Sequence, residues 1–346
     1  MKAAVFYGPG ELRVSELPRP AIAADELLVK IAACAVCGSD VRTFRHGARN
    51  IDKPVVLGHE VSGTIVATGR NISGYQEGQR VAVAPAIPCG DCRYCRRGAQ
   101  TMCEHLRSIG YQFDGGLAEF MAVPASAVRA GCVNTVPDAV SFEEAAIAEP
   151  LACVINAQEL LRMGDGDTVV VIGAGPVGCL HAGLARERGA AKVILVDVRA
   201  ERLQMAAVFG ADVTVDASRE DVRARVLEET EGVGASVVIV AAPSRAAQEQ
   251  AVTLAARQGR INFFGGLPKT DPIISLDANA VHYGEITIVG SMGYPDEIFE
   301  VTKDLTANWE KYAVIVSHTI PFDDVDEALK TASTPGAADK VVVTFN

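Results

Sequence analysis

The sequence predicts an α/β chain that combines a doubly wound parallel sheet with a β-rich domain. Strand-like apolar runs alternate with helical segments over residues 169–291, which is the pattern of βαβ units. Residues 1–36 instead form short strand-like pieces separated by glycine and proline turns. The length of 346 residues exceeds one ordinary domain, and 49% hydrophobic residues can fill sizeable cores. Two domains are therefore expected.

The most informative stretch is a buried strand over 169–172 that leads directly into Gly-x-Gly-x-x-Gly. Gly173 permits a tight turn, Gly175 lets the backbone approach a pyrophosphate, and Gly178 lets the next helix pack on the strand. The N-terminus of that helix offers free N–H groups to the pyrophosphate. The following strand ends at Asp197, whose carboxylate can accept hydrogen bonds from both ribose hydroxyls of NAD.

Asp197 also favours NAD over NADP, because a carboxylate repels the 2′-phosphate of NADP. Arg199 and Arg202 follow closely and act against this preference, although both also suit the solvated start of a helix. A structural glycine turn that binds nothing is the alternative interpretation. The predicted cofactor contacts are Gly173, Gly175, Pro176, Val177, Gly178, Asp197 and Arg202.

Composition excludes several classes of partner. The net charge is −11 and no basic run occurs, which disfavours nucleic acids and anionic membranes. No run of uncharged apolar residues is long enough to predict a membrane span, and the N-terminal residues do not resemble a signal peptide. Nine cysteines, an odd number with four of them clustered, indicate metal binding in a reducing cytoplasm rather than disulfides.

The clustered cysteines have the spacing Cys-x2-Cys-x2-Cys-x7-Cys. Four thiolates on one compact lobe suit a closed tetrahedral zinc site, which holds a loop in place and leaves no position open for substrate. Iron–sulfur clusters also use four cysteines, but bacterial ferredoxin runs have a different spacing and end in Cys-Pro. The predicted ligands of this structural zinc are Cys89, Cys92, Cys95 and Cys103.

Upstream of the lobe, Cys37 and His59 offer a thiolate and an imidazole, both good zinc ligands. An adjacent carboxylate can act as a third ligand or as the partner of a ligand. Taken alone, the two residues are better explained as a buried thiol and a core histidine.

Taken together, these stretches resemble the zinc-dependent medium-chain dehydrogenases over nearly the full chain. The matching residues are Cys37-Gly38-Ser39-Asp40, Gly58-His59-Glu60, the four-cysteine lobe and the glycine turn with Asp197. The resemblance implies a GroES-like β-barrel catalytic domain split by an inserted Rossmann domain. Its expected parts are the catalytic domain at residues 1–150 with a structural zinc lobe at about 85–110, the nucleotide domain at 151–290, and a return to the catalytic domain at 291–346.

The expected elements follow from local pattern. A strand over 27–32 is the clearest of the first domain, and residues 142–163 are expected to be helical with a break at Pro150. After Asp197 we expect helices over 203–209, 222–230 and 246–256, and strands over 213–215, 236–240, 260–264 and 286–291. Two amphipathic helices, at 297–306 and 325–331, and a closing strand over 340–344 complete the prediction.

The resemblance also assigns the catalytic zinc. Cys37 and His59 are implied as ligands, and Glu60 as a ligand or as the partner of one. Glu149, in Ala-Glu-Pro-Leu, falls where the alcohol dehydrogenase branch has a cysteine ligand, and this form resembles the sorbitol and polyol dehydrogenases. The implied ligand set is Cys37, His59, Glu60 and Glu149.

Ser39 is implied to hydrogen-bond the alcohol oxygen and to begin proton removal, with Glu60 and Glu149 as further catalytic residues. Arg42 stands where the alcohol dehydrogenase branch often has a relay histidine, and an arginine cannot act as that base. The proton would then leave through Ser39, the ribose hydroxyls, water or a glutamate at the zinc.

The sequence thus predicts an NAD-dependent zinc enzyme that oxidises a secondary alcohol of a polyol to a ketone. Threonine-type and sugar-phosphate dehydrogenases are the alternatives within the same family. A nucleotide-binding protein without catalysis, or a zinc-ribbon binding module, are alternatives of another class. The expected partners are a small-molecule substrate and further copies of the chain, in a homodimer or a homotetramer.

Overall fold

A computed structural model describes residues 1–48, 50–294, 312–334 and 340–345. The chain divides into two units, one made of Met1–Ala152 with Gly293–Asn346 and the other of Cys153–Met292. The helix expected at 297–306 lies outside the described residues. Among the helices that the structure describes, none combines the length and the apolar character needed to cross a bilayer.

The strands are, in chain order, β1 (Lys2–Gly8), β2 (Glu11–Glu16), β3 (Leu27–Ala35), β4 (Val55–Val56), β5 (Glu60–Thr68), β6 (Arg80–Val83), β7 (Ala86–Ile87), β8 (Arg107–Ser108), β9 (Phe120–Val123), β10 (Val133–Thr135), β11 (Thr168–Ile172), β12 (Lys192–Asp197), β13 (Val213–Asp216), β14 (Ala235–Val240), β15 (Ala255–Phe263), β16 (Thr287–Gly290), β17 (Val316–Pro321) and β18 (Lys340–Thr344). The α-helices are α1 (Gly38–His46), α2 (Ala125–Arg129), α3 (Phe142–Ala145), α4 (Ala148–Leu160), α5 (Pro176–Glu187), α6 (Ala200–Leu203), α7 (Val222–Glu229), α8 (Arg245–Leu254), α9 (Ala278–Gly284) and α10 (Val325–Ser333).

A seven-stranded sheet organises the first unit, in the order β10-β6-β5-β3-β18-β17, with β9 also paired to β3. The central strand β3 is buried along most of its length because Leu, Val, Ile and Ala dominate it. Both β5 and β18 run antiparallel to β3. The end of β3 therefore lies at the same sheet edge as the starts of β5 and β18, and Ala35 is paired with both Glu60 and Val342.

Six parallel strands form the sheet of the second unit, in the order β13-β12-β11-β14-β15-β16. The interior residues of β11, β12 and β14 are mostly β-branched, and Val170, Ile194 and Val238 are fully buried. The order reverses between β11 and β14, which is where ligands bind in doubly wound folds. This topology is that of a doubly wound sheet, and it confirms the predicted Rossmann domain.

Two expected helices differ from the structure. The segment 142–163 holds two helices, α3 and α4, and the break falls at residues 146–147 rather than at Pro150. Pro150 lies in the first turn of α4, where a missing N–H removes no helical hydrogen bond. The helix expected over 203–209 is displaced, since α6 ends at Leu203 and turns follow.

A buried histidine in α5 gives a test of the second unit's core. His181 is fully buried, its backbone carbonyl accepts a hydrogen bond from Gln158 at 2.9 Å, and its ring packs edge-on against Phe264 at 4.8 Å between centroids. Burial, with a smaller contribution from the charge of Arg188, lowers the pKa of His181 to about 3.

The His181 ring takes up a proton near pH 6.5 in the unfolded chain but stays neutral in the folded chain until the pH approaches 3. The stability that depends on the neutral ring is therefore fully present above pH 6.5 and is lost as the pH falls towards 3. We expect His181 to lower the free energy of unfolding by about 2 kcal/mol between pH 7 and pH 5. Urea unfolding of the native chain and of His181→Leu at both pH values measures it. An equal pH dependence in the two proteins would show that His181 does not carry this effect.

Candidate active site

Three candidate metal ligands converge where β3, β5 and β18 share an edge. Cys37 follows β3 and forms the N-cap of α1, while His59 and Glu60 lie at the start of β5. One ligand atom from each of Cys37, His59 and Glu60 lies within 4.8 Å of the others. A thiolate, an imidazole and a carboxylate are a donor set that zinc accepts.

The turn before His59 depends on a glycine. Gly58 has a φ of +91°, and a Cβ there would lie 2.6 Å from the sulfur of Cys34 and 2.9 Å from the side chain of Leu117. No other residue fits both this backbone conformation and this space. The glycine thereby fixes the position from which His59 and Glu60 enter the site.

Hydrogen bonds orient the ring of His59. Its Nδ1 lies 3.0 Å from an oxygen of Asp40, which is 1% exposed, and the other Asp40 oxygen accepts the backbone N–H of Cys37 at 3.0 Å. Nδ1 is therefore the donor, and Nε2 is left to bind a metal. Burial opposes a charged imidazole, but the Asp40 carboxylate outweighs it and raises the pKa of His59 well above its ordinary value.

Glu60 is held by Lys340, a residue that the sequence analysis did not single out. The two side chains are buried, and the Lys340 Nζ lies 2.7 Å from Oε1 and 2.5 Å from Oε2. Within the described part of the chain, Oε2 has this ion contact but no hydrogen bond of adequate geometry. A buried carboxylate oxygen in that state, beside a thiolate and an imidazole, fits a metal ion.

The sequence feature that could have pointed to Lys340 is its position as a lone lysine directly before the apolar run Val-Val-Val. Burial disfavours its charge, but Glu60 and Cys37 more than offset this and raise the pKa of Lys340 above its ordinary value. The side chain is therefore a permanent cation beside the candidate ligands.

The other predicted residues lie at different points of the site. The Ser39 hydroxyl is 3.4 Å from the His59 Nε2, so it faces the nitrogen that a metal would use. Tyr111, which is not one of the predicted site residues, has its ring 5.9 Å from that of His59. Glu149, in the first turn of α4, interacts electrostatically with Lys340 but is not in the group of converging ligand atoms. Its assignment as a ligand stays a prediction.

The four cysteines of the lobe also converge. One sulfur from each of them lies within 4.8 Å of the others, with 3.5 Å between Cys92 and Cys95. The backbone N–H groups of Cys89 and His105 donate to the sulfur of Cys103 at 3.2 and 3.3 Å. Backbone hydrogen bonds from Cys95 and Glu104 lower the pKa of Cys92 to about 6. The hydrogen bond with Asp91 raises the pKa of Cys89, and burial raises that of Cys95. The backbone thus favours a thiolate at Cys92, and the four converging sulfurs fit a closed tetrahedral metal site.

In the second unit, the glycine turn has the shape expected for a pyrophosphate. Gly173 has a φ of +108°, and a Cβ there would lie 2.8 Å from the backbone N of Ala242. A Cβ at Gly178 would lie 1.7 Å from the carbonyl oxygen of Gly173, so helix α5 could not pack closely with any larger residue. Around Gly175 the space is open, with Arg202 at 3.6 Å as the nearest group. Pro176 and Val177 open α5.

Asp197 ends β12 and is nearly buried. Its Oδ2 accepts the N–H of Ala174 at 2.7 Å, and its Oδ1 accepts the N–H of Arg199 at 2.9 Å. Arg202 lies 3.9 Å from the same carboxylate. The carboxylate thereby ties the end of β12 to the glycine turn, and each oxygen keeps a lone pair for a ribose hydroxyl.

A cleft of about 630 Å³ adjoins Asp197 and is also lined by Glu220, Asp221 and Ser244. Three carboxylates therefore line it, and the lining residues that the structure describes include no lysine or arginine, although Arg202 lies 3.9 Å from Asp197. This charge pattern suits a neutral adenosine better than one with a 2′-phosphate.

Two family models match the chain. The model described as alcohol dehydrogenase GroES-like domain covers residues 23–134, and the one described as zinc-binding dehydrogenase covers residues 176–308. The first match includes Cys37, His59 and the cysteine lobe, and the second includes most of the Rossmann domain.

Individual proteins agree with these matches. The chain is 32% identical to the sorbitol dehydrogenase of Bombyx mori over 99% of its own length and 97% of that protein. It is 33% identical to the D-arabitol-phosphate dehydrogenase of Enterococcus avium over 84% and 82% of the two chains. The crystal structure of a zinc-binding dehydrogenase of Sinorhizobium meliloti bound to NADP superimposes with a TM-score of 0.91, 31% identity, and coverage of 99% and 98%. The chain therefore belongs to the zinc-dependent medium-chain dehydrogenases, as the sequence predicted, and is an enzyme of the zinc-type alcohol dehydrogenase class.

Proposed function

We propose that the chain oxidises a secondary alcohol of a polyol to a ketone and uses NAD as the hydride acceptor. The observation that carries the proposal is the grouping of a carboxylate, Glu60, with Cys37 and His59 in a buried site. The sorbitol dehydrogenase relative and Glu149, at a position where another branch has a cysteine, support the polyol class.

In this proposal Cys37, His59 and Glu60 hold the catalytic zinc, and Glu149 is a further candidate. Bound zinc polarises the substrate hydroxyl and stabilises the developing alkoxide, and NAD accepts the hydride. Asp40 keeps the Nε2 of His59 directed at the metal through its hydrogen bond to Nδ1. Ser39 lies beside Nε2, where its hydroxyl can accept the proton of the substrate alcohol and pass it to water.

The charges at the site favour a neutral substrate. Lys340 is the cationic side chain that the described structure places against the candidate ligands. Its charge is already paired, because both oxygens of Glu60 lie within 2.7 Å of its Nζ. A phosphorylated substrate needs an unpaired basic group to bind its charge. The arabitol-phosphate relative nevertheless makes a sugar phosphate the second candidate.

NADH formation with a panel of sorbitol, xylitol, arabitol, their phosphates, threonine and simple alcohols tests the substrate class. We expect the free polyols to be oxidised with the highest kcat/KM. Turnover restricted to phosphorylated polyols would replace the proposal with the second candidate. Measurable NAD binding without turnover on any compound would contradict an active dehydrogenase.

The preference for NAD depends on Asp197. We expect Asp197→Ser to lower the ratio of kcat/KM for NAD to that for NADP by at least about tenfold, because it removes a charge that repels the 2′-phosphate and an acceptor for the ribose hydroxyls. Steady-state kinetics with both cofactors measure this ratio.

Asp216→Asn is the matched control, since Asp216 lies opposite Asp197 on the neighbouring strand and outside the cleft lining. Its ratio should stay within about twofold of the native value. The Sinorhizobium meliloti structure contains NADP. A native enzyme with a higher kcat/KM for NADP than for NAD would overturn the proposed cofactor.

The proposal includes a homodimer, or a homotetramer built from dimers, in the cytoplasm. The strand β16 forms one edge of the parallel sheet and pairs with β15 on its other side. A second copy could continue the sheet at that edge. The molar mass from light scattering, measured for the native chain and for Ile288→Pro, tests the homo-oligomer, because a proline in β16 lacks the N–H needed for strand pairing. A monomeric native chain would contradict the proposed assembly.

A further inference from the structure

Lys340, the buried partner of Glu60, takes part in none of the steps proposed above. Glu60 is 0% exposed and Lys340 is 5% exposed. A buried ion pair contributes little net stability, because the loss of hydration offsets the attraction between the charges. Lys340 otherwise begins a strand of valines, where an apolar residue would pack more favourably. The pair therefore calls for a role beyond folding.

The position of the pair indicates that role. Lys340 donates a hydrogen bond to Oε1 of Glu60, and an oxygen of the same carboxylate belongs to the group that could hold a metal with Cys37 and His59. The charges of Cys37 and Glu149 also act on Lys340.

We propose that Lys340 is a positioning residue that limits how strongly Glu60 binds the catalytic metal. Its ammonium contacts both oxygens of Glu60 and so competes with the metal for the carboxylate, and its positive charge offsets one negative charge among the ligands. A position at the metal thereby stays open for a substrate oxygen. The inference rests on the proposed function only in the identity of the metal site.

Without this cation the carboxylate is free and the ligand set is more negative, so the metal should be held more tightly. We expect Lys340→Met to slow release of the catalytic zinc to a chromogenic chelator by at least about tenfold. Release from the native chain is compared with release from Cys37→Ser. The metal that the native chain releases and this variant does not is assigned to the catalytic site. Cobalt(II) in the same site should absorb more weakly in the visible range, since coordination by both Glu60 oxygens raises its coordination number.

Matched variants separate this role from a merely structural one. Lys340→Arg keeps the cation and should release zinc within about threefold of the native rate. Glu60→Gln removes the carboxylate charge, so adding Lys340→Met to it should change the release rate by less than about twofold.

Unchanged or faster zinc release from Lys340→Met would overturn the proposal, and so would an equal effect of that substitution in the Glu60→Gln chain. If Lys340→Met does not fold, Lys340→Gln replaces it, because a neutral amide can donate a hydrogen bond to the buried carboxylate without supplying a charge. Unchanged or faster zinc release from that variant would overturn the proposal. All of these measurements are made without substrate. A failure of polyol oxidation therefore leaves their outcome unaffected.

Discussion

Cys37→Ser should abolish dehydrogenase activity and leave cofactor binding intact. Serine is a poor zinc ligand, so the variant loses the metal that polarises the substrate hydroxyl, and we expect kcat/KM to fall by at least about 10³-fold. The glycine turn and Asp197 lie in the other unit, so the dissociation constant for NAD should stay within about twofold. Steady-state kinetics and titration of NAD by calorimetry measure the two quantities.

Cys153→Ser is the matched control for this substitution. Cys153 lies in α4, only four residues beyond Glu149, and belongs to neither group of converging ligands. It should retain most of the native activity and zinc content. Full turnover by Cys37→Ser would remove Cys37 from the catalytic machinery and leave the lobe as the metal site still supported.

Cys92→Ser should have its main effect on stability and metal content. A closed cysteine site links residues 89–103 and contributes its binding free energy to folding. We expect the substitution to reduce zinc content from about two ions per chain to about one and to lower the free energy of unfolding by roughly 3–5 kcal/mol. Metal analysis and denaturant unfolding measure both, again with Cys153→Ser as control.

Activity distinguishes the two zinc sites. The candidate catalytic ligands are intact in Cys92→Ser, so the folded fraction should still produce NADH at low temperature. An unchanged unfolding midpoint together with native zinc content would show that the lobe binds no structural zinc.

Much of this fold could be predicted because its signals are local. A run of β-branched residues followed by Gly-x-Gly-x-x-Gly determines a strand, a turn and a helix within a short stretch, and a residue larger than glycine at 178 would collide with the turn. The lobe is local too, since all four cysteines lie within 15 residues, from Cys89 to Cys103. The alternation of strands and helices predicts a parallel sheet, but it does not determine the strand order that the structure shows.

The missed features depend on contacts between distant residues. Lys340 follows Glu60 by 280 residues, and only the antiparallel pairing of β5, β3 and β18 brings them together. The hydrogen bond from His59 to Asp40 likewise depends on the turn at Gly58. The predicted helix break at Pro150 is wrong, because proline breaks a helix in its interior but is tolerated in the first turn, where Pro150 lies.

The most direct test of the account is to measure zinc content and NADH formation on one preparation of the native chain while a chelator removes the more labile metal. We predict about two zinc ions per chain at the start and a loss of polyol oxidation in proportion to the release of one of them, restored by added zinc. The tightly held ion should remain in the lobe throughout. Polyol oxidation that continues after the labile zinc has gone, or a chain that binds only one zinc and oxidises no alcohol, would contradict the account.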